Sequence, residues 1–140
     1  MPSNAANIVH TEMMRAMGRS MVRLQGGVKK YPPKPPDSRY IRTTTLGKSL
    51  TIATDAQAIG SVSAIHGGVE GRWGTKVKYA PYVIDQNKQA WMHKGRWWTL
   101  QGEAKRLTPQ VVKEFKAASV RIADKLGPMW DRDIIIKVEL

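Results

Sequence analysis

The sequence predicts an α+β fold in a single domain, and three observations carry that expectation. Apolar residues recur every four positions between Ile8 and Leu24, runs of β-type residues occupy much of the stretch from Thr43 to Ile84, and an amphipathic helical pattern spans residues 108–126. The architecture they imply is an antiparallel sheet of about four strands, with an N-terminal amphipathic helix and a C-terminal helix packed on it. Extended loops and arms take up the rest of residues 1–140.

In chain order, residues 1–7 read as a flexible N-terminal stretch, without the basic start or apolar core of a signal peptide. The first helix follows. Val9, Met13, Met17 and Met21 form one stripe, completed by Leu24, and Arg15, Arg19 and Arg23 form another. The two stripes are offset by two positions, roughly 200° around a helix. Gly26-Gly27 is a helix stop. The Met face suits core packing. The Arg face is either a solvated surface or a contact for phosphate or an acidic partner. On the second reading, Arg15, Arg19, Arg23, Lys29 and Lys30 are candidates for facing DNA or an acidic protein. Residues 29–39 follow, with Pro32, Pro33, Pro35 and Pro36 next to Tyr31. Such a run forms neither helix nor central strand, and is expected to be a stiff extended arm.

Threonine-rich residues 43–54, with Leu46, Leu50 and Ile52, predict a strand. Residues 58–65 predict a second, with Gly60 inside it. Residues 67–74 hold four glycines and read as a flexible loop containing Arg72 and Trp73. Residues 76–84 predict a third strand, and residues 86–107 a polar, Trp-rich loop. The second helix is expected to start with Thr108 as N-cap and Pro109 at its first position. Its apolar face is Val111, Val112, Phe115, Ser119, Ile122 and Leu126, and Gly127-Pro128 ends it. Ile134 to Val138 predicts a short final strand.

The chain has no cysteine, which excludes disulfide scaffolds, thiol catalysis and Cys-ligated metal sites. His10, His66 and His93 have no metal-ligand spacing, and Asp131 and Asp133 flank Arg132 as in a solvated turn. There is no nucleophile elbow and no Walker loop. These residues point away from an enzyme, a cofactor or a metal. No apolar run approaches the ~20 residues of a membrane span. The net charge is +12, of which +7 lies in residues 1–49, +4 in 50–107 and +1 in 108–140. That balance points to a polyanionic neighbour. The strongest constellation is Trp91, His93, Lys94, Arg96, Trp97 and Trp98. Interleaved rings and cations suit a subunit or partner interface, packing within the domain, or stacking on single-stranded nucleic acid.

Two short motifs add a resemblance. Arg42-Thr43-Thr44-Thr45-Leu46-Gly47-Lys48-Ser49 is similar to an "Arg-Thr-Gly-x-Leu-x-x-Ser" step, with Thr44 at the usual glycine. Tyr79-Ala80-Pro81-Tyr82-Val83 is similar to a "Tyr-Ala-x-Tyr-Val" strand. Both occur in the tailed-phage tail-completion and head–tail joining family that includes minor tail protein Z of phage lambda, and residues 8–126 resemble that family. Asp85 to Gln89 departs from its usual "Glu-x-Gly-Thr".

The resemblance implies a structural virion protein of the neck or tail, made in the host cytoplasm. It would form a ring, most often a hexamer, at the head-proximal end of the tail. Its partners would be copies of itself, neighbouring connector or stopper, terminator and tail-tube proteins, and DNA passing through the lumen. Subunit or partner contacts would come from Tyr31, Pro32, Pro33, Pro35 and Pro36 of the arm, Arg72 and Trp73 of the glycine loop, and Trp91, Arg96, Trp97 and Trp98. The alternative is a basic nucleic-acid-binding module that uses the Arg helix face and the Trp/Lys/Arg loop.

Overall fold

Helix α1 (Asn4–Gly27) forms as the Met periodicity requires, and the computed structural model describes it together with the rest of residues 4–33, 44–126 and 133–140. Val9, Met13, Met17, Met21 and Leu24 are all buried, and Arg15, Arg19 and Arg23 are exposed. Residues 4–7, expected to be loose, form its first turn. Four elements follow: α2 (Thr45–Thr51), β1 (Ala58–Ile65), β2 (Gly68–Thr75) and α3 (Ala80–Ile84). The chain then forms α4 (Leu100–Leu126) and β3 (Asp133–Glu139).

The domain is α+β, and its sheet among the described residues is three-stranded and mixed, in the order β1-β2-β3. β1 and β2 form an antiparallel hairpin, while β3 runs parallel to β2 after the α4 crossover. This corrects the four-stranded antiparallel expectation: two of the expected strands, 43–54 and 76–84, hold the short helices α2 and α3. Threonines suggested a strand at 43–54, but Leu46 and Leu50 lie one helical turn apart and are both buried. Ser49 is buried beside them, and its hydroxyl donates to the Leu46 carbonyl at 2.6 Å. At 76–84, Pro81 occupies the start of a helix, where its missing N–H costs nothing, and Ala80 and Ile84 share a buried face.

The expected glycine loop at 67–74 is strand β2 for nearly all its length. Its glycines are sites of close approach. A Cβ at Gly71 would collide with Met17 and Met21 of α1, and one at Gly74 would collide with the Glu139 backbone of β3. Gly67 turns the hairpin at φ 79°, which glycine adopts without strain. Gly74→Ala is expected to loosen β3 and cost about 1–3 kcal/mol, as forced overpacking does. Denaturant midpoints check this, and an unchanged midpoint would count against the β2–β3 register.

α4 starts at Leu100, eight residues before the expected Thr108 cap. Thr99 is the cap: its hydroxyl accepts the Gly102 N–H at 3.0 Å. Thr108 instead donates to the Ala104 carbonyl, and Pro109 sits inside the helix on its exposed side, where its ring displaces no core atom. Leu107, Val111, Phe115, Ala118 and Ile122 are buried, but Val112, expected on that face, is 42% exposed. α4 packs chiefly on α1 and meets the sheet mainly at β3, so α1 rather than α4 is the helix that covers the sheet.

Glu12 is a buried polar link between the two long helices. It is 1% exposed, and accepts from Arg121 at 2.7 Å and Lys125 at 3.1 Å. The Arg121 hydrogen bond, with Lys125 behind it, outweighs burial and holds its carboxyl below the usual 4.5. The stability this gives is fully present above pH 4.5 and lost as pH falls through the lowered value. We expect acid unfolding to begin below that pH, and Glu12→Gln to flatten it while costing about 1–2 kcal/mol at pH 7. Circular dichroism across a pH series reads both effects.

Thr44 precedes α2 with φ 62°, a left-handed conformation that a β-branched residue rarely adopts. Thr44→Gly is expected to raise stability by about 0.5–1 kcal/mol, relief of strain outweighing the glycine's added chain entropy. A higher urea midpoint checks it.

Candidate interaction surface

The proline arm and the tryptophan loop, far apart in sequence, meet in space. The loop after α3 is first tied to its own neighbours. Asp85 accepts the Asn87 N–H at 3.0 Å and the Gln101 side chain at 3.2 Å. Ala90 N–H donates to the Tyr82 carbonyl at 2.7 Å, and the Gln89 amide reaches the carbonyls of Val83 and Trp97. Residues 90–97 then turn tightly, with His93 N–H donating to Ala90 and Trp97 N–H to His93.

Against this frame the start of the arm is held at successive residues. The Gly27 carbonyl accepts from Arg106, and Lys29 N–H donates to Glu103 at 3.1 Å. The Lys30 carbonyl accepts from the Trp98 indole at 3.3 Å. Tyr31 packs at a tilt against Trp97 with centroids 5.0 Å apart, and its hydroxyl accepts the Gly47 N–H at 2.7 Å. The Pro33 carbonyl accepts from Arg96 at 3.1 Å. Glu103, 2% exposed, anchors the arrangement from α4. Burial works to raise its pKa, but the Arg106 guanidinium and the Lys29 N–H outweigh it and leave it lowered.

Tyr31, Trp97 and Trp98 are half-buried in the joint itself, as is Pro32, while Pro33 and Arg96 are exposed. Pro35 and Pro36 lie outside the described residues, as do Arg42, Thr43 and Asp131. Trp91 is 82% exposed. Trp73 is the correction: it is fully buried, with its indole donating to the Leu50 carbonyl at 3.2 Å, so it belongs to the core and not to an interface. Arg72 lies on the sheet face turned from α1, bonded to Glu70 at 2.6 Å and near Glu139 at 3.3 Å. Lys137 reaches the same Glu70 at 3.4 Å.

The Arg face of α1 is partly neutralised. Arg15 pairs with Glu12 and Arg23 with Glu114, while Arg19 makes no ion pair among the described residues. Lys29 pairs weakly with Glu103 at 3.9 Å, and Lys30 is exposed.

Tyr79, Tyr82 and Met92, none of them a candidate contact in the sequence, are also exposed. Tyr79 caps the start of α3 and Tyr82 lies within it, on either side of the buried Ala80 in sequence, and Met92 follows Trp91. Their signal was the three-residue spacing of the tyrosines, which puts them on one helical face. His93 packs edge-on to Trp97 with centroids 6.0 Å apart. Burial, reinforced by the Arg96 charge, keeps its imidazole below the usual 6.5, so it is neutral at pH 7.

This surface can bind and position, since it offers rings, cations and a fixed arm root. No group of three or more His, Cys, Asp or Glu among the described residues could hold a metal ion, and no described helix is long and apolar enough to cross a membrane. In comparisons with known proteins, no family model, no curated protein and no solved structure matches the chain.

Proposed function

We propose that the protein is a structural subunit of a phage neck or tail, of the tail-completion or head–tail joining kind, that works by assembling into a ring around the DNA path. The observation that carries this reading is the joint between arm and loop. Residues 27–33 are pinned at successive points to Glu103, Arg106, Trp98, Trp97 and Arg96. A proline arm with a fixed root loses little further entropy on reaching a neighbour. The loop that holds the root and the α3 segment bonded to that loop carry Trp91, Met92, Tyr79 and Tyr82, exposed residues with large apolar surfaces of the type that anchors interfaces.

Two local features fit the first of the two motifs, whereas the Tyr-Ala-x-Tyr-Val segment, a strand in that family, is helix α3 here. The motif's usual glycine falls on Thr44, where the backbone takes the left-handed conformation that glycine favours. The motif's Leu46 and Ser49 are both buried, and Ser49 shares a 2.6 Å hydroxyl contact with Thr75 of β2, which seats α2 on the hairpin.

The nucleic-acid alternative has fewer free groups to use. Trp97 and Trp98 are packed into the joint, and Arg15 and Arg23 are paired with carboxylates. Light scattering on the purified protein, together with immunogold labelling of the virion, tests the proposal. Salt-insensitive oligomers and label at the neck support it. Monomers with no label at the neck overturn it. A roughly thousandfold loss of DNA affinity between 50 and 200 mM salt would favour the alternative.

A further inference from the structure

We infer that copies of this chain join edge to edge, strand β3 of one pairing antiparallel with strand β1 of the next to make one sheet continuous around the ring. The inference rests on the ring reading and names the surface that closes it.

Both edges of the sheet are open among the described residues. β1 pairs only with β2, and beyond the turn bond from Ala58 N–H to Asp55 no backbone hydrogen bond from another described element reaches it. β3 likewise pairs only with β2. An open edge is a row of unpaired donors and acceptors, and proteins ordinarily blunt it with charge, proline or a covering segment. β1, Ala-Ile-Gly-Ser-Val-Ser-Ala-Ile, carries neither charge nor proline over eight residues, and Gly60, Ser61, Ser63 and Ala64 are exposed.

The occupant that fits is β3 of a second copy. The strands match in length, eight residues against seven. β1 is antiparallel to β2 and β3 is parallel to it, so placing sheets side by side in one orientation makes the new pair antiparallel, the more stable kind. β3 brings Asp133, Lys137 and Glu139, and the uncharged β1 opposes none of them with a like charge in any register. A β3–β3 pair centred on Ile136 would set Asp133 opposite Glu139, two carboxylates. A β1–β1 pair would make a closed dimer and leave both β3 edges open. The β3–β1 contact covers both edges with one interface, and such a head-to-tail contact closes rings.

The absence of cysteine gives a clean test by disulfide trapping. Ser61, Arg72 and Lys137 lie in one row across the sheet, so Ser61, Ser63, Lys137 and Glu139 share its outer face. Double variants combine Ser61→Cys or Ser63→Cys with Lys137→Cys or Glu139→Cys. Within one chain the two cysteines lie on either side of β2, at least about 9–10 Å apart, beyond the roughly 7 Å limit for a disulfide. Any bond formed is therefore between chains. After oxidation of the assembled protein, at least one double variant is expected to give a ladder of dimers, trimers and larger species on a non-reducing gel, and the single variants none. Dimers from Ser61→Cys or Ser63→Cys alone would overturn the inference in favour of β1 self-pairing. No cross-link from any double variant, while light scattering shows a ring, would overturn it and leave the ring reading standing. Monomers under all conditions would overturn both. Circular dichroism of each variant confirms folding, and Glu70 keeps Arg72 as its partner when Lys137 is replaced.

Discussion

Trp73→Ala is expected to lower the unfolding free energy by about 3–5 kcal/mol, the range for truncating a buried aromatic. The indole is fully buried in β2, and its N–H holds the Leu50 carbonyl near the end of α2. Truncation empties the space between hairpin and helix and leaves a buried carbonyl unpaired. Against a total stability of roughly 5–15 kcal/mol, that is a large share. Urea unfolding followed by far-UV circular dichroism measures it. An interface role for Trp73 would give the reverse pattern, a near-normal midpoint with weakened association.

Trp91→Ala is expected to show that reverse pattern. With 82% of its surface exposed, Trp91 contributes little to the fold, and its loss should move stability by no more than about 0.5 kcal/mol. Association should weaken about 30-fold or more, the roughly 2 kcal/mol of an aromatic hot spot. Tyr82→Ala, 61% exposed on the neighbouring helix α3, should act in the same direction. Sedimentation equilibrium of the two variants reads the change, with thermal melts as the control. Unchanged association in both would remove the aromatic surface from the assembly.

Much of the α part of the fold was legible because it is periodic. The Met stripe of α1 and the face around Val111 and Phe115 of α4 follow from spacing alone. The start of α4 was obscured by Thr108-Pro109, a good cap pair that here lies within the helix, while Thr99 does the capping. β1 was legible over its full length, but β2 was not. Its glycines answer to tertiary contacts with Met17, Met21 and Glu139, which leave no trace in local sequence. The same applies to α2 and α3, each too short for periodicity to outvote threonine or alternation. At the candidate site, the cluster of rings and cations is legible in composition. What composition could not show is that Trp97 and Trp98 spend their rings on holding the arm, leaving Trp91 as the outward one.

The parallel pairing of β3 with β2 also fixes an order of events during synthesis. The β1–β2 hairpin closes through the two-residue turn at His66-Gly67, a local step. β3 can join only after the whole of α4 has been made, a long loop closure that is entropically slow. Until then β2 displays its second edge as the nascent chain leaves the ribosome. On the edge-to-edge reading, premature pairing between neighbouring nascent chains is the characteristic misassembly to expect, and slowing translation before β3 should increase it.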